Sequence, residues 1–293
     1  MPSNPTQRRT TFAELVNSAE PLVLPGAYDA FSARLVERAG FRATYLGSFA
    51  AAASTFGQPD VGLVTLTELV DAIRRIVDAT SLPVLVDGEN GFYEPSNIWR
   101  TVQAFESAGA VGLHIEDNLG GKHTSRPAGL LSPDRMVTRI RAALDARTDP
   151  SFMIIARTDA AWVYGDLDDT LSRLRSYVAA GADVVFAPAV PAAKLKEIRA
   201  AIEAPVMVAA DLFDAPGKDR PGSTLAEYAD AGADVLLLWY SLIGAAAKAV
   251  MGTLDGLASG AEVAELGDLI LGQQEFESAM DYTAYERRAA RYQ

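Results

Sequence analysis

Along nearly the whole chain, short runs of β-branched or aliphatic residues alternate with segments whose apolar positions repeat at helical spacing. That alternation is the βα rhythm of a parallel sheet. Eight runs stand out: LVLPG (22–26), ATYLG (43–47), PVLVD (83–87), VGLHIE (111–116), FMIIAR (152–157), DVVFAP (183–188), PVMVAA (205–210) and DVLLLW (234–239). Their starts are of two alternating kinds. Odd runs are preceded or begun by Pro21, Pro83, Pro150 or Pro205, whereas even runs follow Ala39-Gly40, Ala108-Gly109, Ala180-Gly181 or Ala231-Gly232. Proline at the first residue of a strand loses no ladder bond, and glycine just past a helix supplies a left-handed cap. Four copies of a two-strand unit make eight strands, so a closed (β/α)8 (TIM) barrel is favoured over an open doubly wound sheet.

Two segments lie outside this rhythm within what reads as one barrel domain over 1–293. The leading segment 1–20 contains a short helix at 11–18, and 261–293 reads as a C-terminal extension of one or two helices. The extension is amphipathic, with Leu269, Leu271, Phe276 and Met280 available to bury on this barrel or on a neighbour's.

Composition narrows the chemistry. The chain has no cysteine, which removes disulfides, thiolate nucleophiles and cysteine-ligated zinc or iron–sulfur sites. The start MPSNPTQRRTTFAEL lacks the apolar core of a secretory signal, so a cytoplasmic location is expected. The most apolar stretch, 231–254, is interrupted by Asp234, Ser241, Gly244 and Lys248 and makes a poor membrane span. A formal net charge of -12 disfavours nucleic acid and anionic membranes as partners. An anionic substrate would therefore need local positive charge, from a metal or from convergent arginine and lysine.

In a barrel the active site lies at the carboxyl ends of the strands. Chemistry-capable residues collect there: Tyr28 and Asp29, Gly47 and Ser48, Asp87, Glu89 and Asn90, Glu116 and Asp117, Arg157, Thr158 and Asp159, Asp211, Trp239 and Tyr240. Alternate residues of a strand share a face, so Asp87 and Glu89 point together if the extended geometry persists, and Glu116 on the next strand joins them. Three such carboxylates repel unless protonated or bridged, and oxygen-only ligands select Mg²⁺ or Mn²⁺. The competing reading makes these acids N-caps of the following helices. Asp117 has the opposite parity and is assigned to the loop. Arg157 either neutralises Asp87 or Asp159 or forks onto a substrate carboxylate or phosphonate.

His114 shares parity with Glu116 and reads as a satisfied core histidine. H-x-E without cysteines downstream is not a deaminase zinc site. GGKHTSRPAG lacks P-loop spacing. Its glycines beside Lys122, His123 and Arg126 suggest a mobile basic flap, with a solvated turn as the alternative.

Five stretches together resemble the isocitrate lyase and phosphoenolpyruvate mutase superfamily: PGAYDAFSARLVERAGF, QPDVGLVTLTE, VDGENGFY, HIED and IIARTDA. The resemblance implies a (β/α)8 barrel whose trailing helices are exchanged between subunits, usually in a homotetramer. It implies that Asp87, Glu89 and Glu116 hold Mg²⁺, directly or through water, and that a pyruvate-like enolate is stabilised there. By the same likeness, Arg157 and the strand 2 turn (Tyr45, Gly47, Ser48, Phe49), with His123 and Ser125, bind the acidic groups of a small carboxylate or phosphonate. Asp60 stands at a family active-site position, and Lys122 sits on the gating loop.

The departures are informative. Lyases for isocitrate and methylisocitrate carry K-[KR]-C-G-H on the loop, where this chain has Lys122-His123-Thr124-Ser125-Arg126. The Thr124 hydroxyl cannot replace a thiol as a general acid. K-x-T-S resembles the loop of phosphonopyruvate hydrolase, whereas IIARTDA resembles the carbon–carbon lyases rather than the ARVEA of the phosphonate enzymes. Gly47-Ser48 reverses the usual Ser-Gly, and Pro188 replaces a glutamate found in many lyases. The expected activity is a Mg²⁺-dependent lyase that cleaves a carbon–carbon bond of a small 2-oxo or 2-hydroxy acid. Carbon–phosphorus chemistry of the hydrolase or mutase kind is the alternative, and a noncatalytic carboxylate-binding barrel is a third reading.

Overall fold

The computed structural model describes residues 4–92, 94–120, 124, 128–211 and 223–293. Eight strands are present: β1 (Leu22–Pro25), β2 (Thr44–Leu46), β3 (Val84–Asp87), β4 (Gly112–Glu116), β5 (Met153–Arg157), β6 (Val184–Phe186), β7 (Val206–Ala209) and β8 (Val235–Leu238). Each of the eight expected runs contains one. Neighbours run parallel in the order β1-β8-β7-β6-β5-β4-β3-β2, with Leu22 opposite Val235 and Gly112 opposite Met153. The ring is completed by a bridge between Gly26 and Tyr45, with the Ala27 N–H on the Tyr45 carbonyl at 2.8 Å and the Thr44 hydroxyl on the Pro25 carbonyl at 2.9 Å. The result is a nearly closed (β/α)8 barrel.

The glycines before the even strands do what their positions suggest. Gly40, Gly109, Gly181 and Gly232 have φ of 85, 92, 102 and 92°. After each, the next N–H reaches back across the helix end: Phe41 to Val36, Ala110 to Phe105, Ala182 to Tyr177 and Ala233 to Tyr228, at 3.0–3.3 Å. These are left-handed helix stops, and they turn the chain straight into a strand.

Outward strand residues pack under the helices, while inward ones fill the barrel and meet Phe12 and Val16 of the leading helix Pro5–Val16. That helix begins six residues earlier than expected, capped by the Asn4 side chain on the Thr6 N–H at 3.1 Å. Its Arg8 and Arg9 are buried, and both bond carbonyls near the strand starts. Arg8 reaches Val77 (2.9 Å) and Thr80 (2.7 Å), and Arg9 reaches Glu106 (2.6 Å) and Ala110 (3.2 Å). The amino end of the barrel is thereby plugged, and the mouth at the carboxyl ends opens onto a blind cup.

After the 18-residue helix Ser241–Ala258 come a 3-10 turn (Val263–Leu269) and the helices Gln273–Ala279 and Tyr282–Ala289. Phe276 packs on Phe31 at 5.1 Å, and Arg38 donates to the Ser278 hydroxyl at 3.0 Å, so the tail rests partly on its own barrel. Val250, Met251, Leu254, Leu269 and Leu271 stay exposed. Among the described residues, no helix is long and apolar enough to cross a membrane.

Close packing between β4 and β5 makes one substitution diagnostic. A Cβ on Gly112 would stand 2.6 Å from the Met153 carbonyl oxygen and 2.9 Å from its Cβ. Gly112→Ala should cost about 3 kcal/mol of stability, read as a lower urea midpoint. Gly40→Ala, which meets no atom but keeps φ at 85°, should cost only about 1 kcal/mol.

Candidate active site

At the end of β3 the chain leaves the sheet abruptly. The Gly88 N–H makes a last bond to the His114 carbonyl at 2.8 Å, and a Cβ on Gly88 would lie 2.6 Å from that same oxygen. Glu89 then takes φ of 50°, left-handed backbone that costs a side-chain-bearing residue about 1 kcal/mol or more. The strain is held from both sides. The Glu89 N–H donates to Asp87 Oδ1 at 2.8 Å, and its carbonyl accepts the Glu116 N–H at 2.8 Å. The continued extended strand expected between Asp87 and Glu89 is therefore absent, and a left-handed turn brings the acids together instead.

Asp87, Glu89 and Glu116 each offer one carboxylate oxygen, and these oxygens lie within 4.8 Å of one another. Asp87 and Glu116 are 4% and 3% exposed. An octahedral magnesium ion sets its ligand oxygens about 3 to 4 Å apart, so the spacing and the all-oxygen chemistry both fit a hard divalent cation, with room for a bridging water.

Beneath this cluster, Asp87 Oδ2 accepts the Ser48 hydroxyl at 3.0 Å and lies 3.4 Å from both the Ser48 N–H and the Tyr45 hydroxyl. Burial pushes the Tyr45 pKa well above its ordinary value, and the Asp87 charge adds to the effect. The phenol therefore stays protonated at neutral pH. His114 is fully buried, with Nε2 2.7 Å from the Tyr45 hydroxyl and its ring between Tyr45 and Phe186. That is the core position expected of it.

Arg157 ends β5. Its Nε and Nη2 grip Asp159 at 2.8 and 3.2 Å, its Nη1 meets Glu116 at 3.2 Å, and its guanidinium lies 5.3 Å from the centre of the Phe186 ring. Burial alone would lower its pKa, but Asp159, Glu116 and Asp87 outweigh burial and hold it well above the ordinary value. Asp159 is itself fixed by Asn118 Nδ2 (3.1 Å) and, through its own N–H, by Asp117 (3.0 Å). Asp117 follows β4 and is fully buried, where Arg173 (3.1 Å) and the Tyr177 hydroxyl (2.8 Å) bond it. Burial raises its pKa. Its opposite parity is real, but it turns the side chain toward helix Leu167–Ala179 rather than into an open loop.

Two other acids of the mouth are helix caps. Asp29 accepts the Ser32 N–H at 2.7 Å, and Asp211 accepts the N–H groups of Trp239, Tyr240 and Ser241 at 2.7–3.0 Å. On the expected gating loop, Thr124 is exposed, and Lys122, His123, Ser125 and Arg126 lie outside the described residues. The neck of that loop is pinned by an antiparallel bridge between Asn118 and Leu130.

A cavity opens at this mouth, beside Asp87 and Arg157. Tyr45, Gly47, Asp60, Asp87 and Arg157 line one side. Ser48 does not line it but bonds two residues that do, Asp87 at 3.0 Å and Asp60 at 3.4 Å, while Phe49 lines it directly. Sequence reasoning missed most of the apolar lining, including Trp162, Phe186, Ala209 and Leu237. The available signal was inward parity at the ends of β6, β7 and β8.

Comparison with known proteins agrees with this geometry. The family model for phosphoenolpyruvate phosphomutase matches residues 12–258. The chain is 43% identical over 200 residues to the 2-methylisocitrate lyase of Escherichia coli (strain K12), covering 67% of each chain. To the oxaloacetate decarboxylase of Bradyrhizobium sp. (strain BTAi1) it is 38% identical over 256 residues, 86% of each. The crystal structure of a phosphoenolpyruvate phosphomutase from Streptomyces platensis subsp. rosaceus superimposes with a TM-score of 0.86 at 27% identity, over 97% of this chain and 99% of that one. With its barrel, its strand-end acids and a family match over most of its length, this chain belongs to the phosphoenolpyruvate mutase and isocitrate lyase superfamily.

Proposed function

We propose that the protein is a Mg²⁺-dependent lyase that cleaves a carbon–carbon bond of a small 2-oxo or 2-hydroxy acid bearing a second acidic group. The observation that carries the reading is the acid cluster of Asp87, Glu89 and Glu116 beside the anchored Arg157 at the mouth of a blind cavity. A divalent cation bound there supplies Lewis acidity, lowering the cost of negative charge on the substrate oxygen by several kcal/mol. The chain's own residues hold and orient. Asp87, Glu89 and Glu116 are the ligands, with Mn²⁺ as a substitute ion, and Ser48 and Tyr45 fix the Asp87 carboxylate. Nε, Nη1 and Nη2 of Arg157 each give one bond to protein, which leaves the second N–H of each terminal nitrogen for a substrate carboxylate. Gly47, Phe49 and Asp60 border the same space. Lys122, His123, Thr124 and Ser125 belong to the loop that would close over it.

Oxaloacetate decarboxylation sits comfortably within this reading. When CO2 leaves, its bonding pair becomes the enolate of pyruvate, and the proton that C3 later takes can come from water. No cysteine acid is needed where Thr124 stands. The rival reading is cleavage of the carbon–phosphorus bond of phosphonopyruvate, favoured by Thr124 in that position and by the likeness to the phosphomutase structure. A noncatalytic barrel is disfavoured by the intact acid cluster. A homotetramer with exchanged C-terminal helices belongs to the same proposal, supported by the exposed apolar residues Val250, Met251 (63% exposed) and Leu254.

The test is to incubate the protein with Mg²⁺ and oxaloacetate, methylisocitrate, dimethylmalate or phosphonopyruvate, followed by proton and phosphorus NMR. Pyruvate from a carboxylate substrate is the expected product. Phosphate release from phosphonopyruvate alone would overturn the carbon–carbon assignment, and silence throughout would remove the enzyme reading for this substrate class.

A further inference from the structure

The cavity has two walls of opposite character. Tyr45, Asp87 and Arg157 stand beside the acid cluster on the β2, β3 and β5 exits, and the rest of the lining is mostly apolar: Phe186, which packs against the Arg157 guanidinium, then Pro188, Leu237 and Trp239 around the β6 and β8 exits, with Phe49 and Trp162. The second wall is built by the exits of β5, β6 and β8. Phe49 crosses from the exit of β2 to join it, meeting Trp239 edge-on at a ring distance of 5.0 Å. Phe186 and Leu237 are each 1% exposed, so the wall is a continuation of the barrel core and not a surface feature. Among the described lining residues, Arg157 is the only cation, and it sits on the polar side with Glu116 and Asp159.

A substrate held by its carboxylate and its C2 oxygen at the polar wall must direct its far end, at C3 and beyond, toward this apolar wall. A carboxylate placed there would lose its water and find, among the described residues, rings, proline and leucine with neutral indole N–H groups but no cation to replace it. An alkyl group would gain by leaving water. Resting on the lyase reading, we propose that the physiological substrate carries an apolar alkyl substituent of two or more carbons at C3, in place of a further carboxylate. Pro188 belongs to the selecting wall.

The test compares 2-methylmalates bearing methyl, ethyl, propyl, isobutyl or carboxymethyl at C3, and the oxaloacetates substituted alike, with the full chain and Mg²⁺. In the malates the C2–C3 bond breaks. The hydroxyl oxygen loses its proton and becomes the carbonyl of pyruvate, and the bonding pair stays on C3, which takes a proton. In the oxaloacetates CO2 leaves and C3 is protonated. kcat/KM should rise about fourfold per methylene from methyl to propyl, the change that about 0.8 kcal/mol of transfer corresponds to. Isobutyl and carboxymethyl have nearly the same shape and differ in charge, and isobutyl should be favoured about 100-fold or more. Ala209→Leu, which adds bulk at the buried end of β7 where Ala209 lines the cavity, should invert the order so that methyl exceeds propyl.

Turnover that is best with carboxymethyl, or flat along the alkyl series, would overturn the inference while leaving the lyase reading intact. If no compound is cleaved, the lyase reading fails, and calorimetric dissociation constants of the same compounds judge the wall. Tightening with alkyl length would support the inference, and a flat series or a preference for carboxymethyl would overturn it.

Discussion

Asp87→Ala should abolish turnover, lowering kcat/KM by at least about 10³-fold on any substrate the protein accepts. The carboxylate has two tasks, and alanine removes both. Asp87 is one of three acids whose oxygens converge within 4.8 Å, and its Oδ1 also takes the N–H of Glu89 at 2.8 Å. Without it, the left-handed turn that carries Glu89 into the site loses one of its two anchors. Asp87→Asn separates these tasks, because an amide oxygen can still accept the Glu89 N–H while the negative charge is gone. Activity should fall nearly as far. The metal-free protein should unfold at about the wild-type temperature, because the cluster then holds one charge fewer to repel its neighbours. Magnesium at a hundred times its Kd should stabilise the wild type by about 2.7 kcal/mol and the asparagine variant hardly at all. Retained activity in Asp87→Ala, or an undiminished magnesium shift in Asp87→Asn, would refute the metal site.

How much of this was legible beforehand depends on whether the cause is local. All eight strands and the four left-handed helix stops follow from residues within a few positions of one another, which is why proline and glycine mark them. The plug at the barrel floor does not. Arg8 and Arg9 precede the helix expected at 11–18 and carry no local sign of a role, and only carbonyls from 69 to 101 residues away make their burial intelligible. The acid cluster was recognisable by residue type, yet the reason for its convergence was misjudged. Pleat parity predicts a shared face for Asp87 and Glu89, whereas Glu89 leaves the strand at φ of 50°. Strand-end acids are also ambiguous one at a time: Asp29 and Asp211 became helix caps, with Ser32 three residues after Asp29 the local sign for the first and no such neighbour for the second. Trp162, Phe186, Ala209 and Leu237 were missed because they meet Phe49 and Trp239 only when the barrel closes.

Arg157→Lys should lower kcat/KM by about 10²-fold or more and also destabilise the protein, although it conserves charge. The two readings of this arginine, as a partner for protein acids and as a fork for substrate, are both satisfied by one guanidinium. Its Nε–Nη2 edge fits Asp159, Nη1 meets Glu116, and its plane faces Phe186. An ammonium is a point charge and can serve one of these partners well, leaving the other buried and uncompensated. Breaking a buried pair in this way costs about 3–5 kcal/mol, and the lysine should recover part of it. Arg157→Met, which removes the charge, should be less stable than Arg157→Lys. The kinetic signature distinguishes the roles. If Arg157 acts only by neutralising Asp159 and Glu116, magnesium affinity changes and KM for substrate at saturating magnesium does not. If its second N–H groups take the substrate carboxylate, KM at saturating magnesium rises about tenfold or more, as the loss of a charge-assisted fork requires.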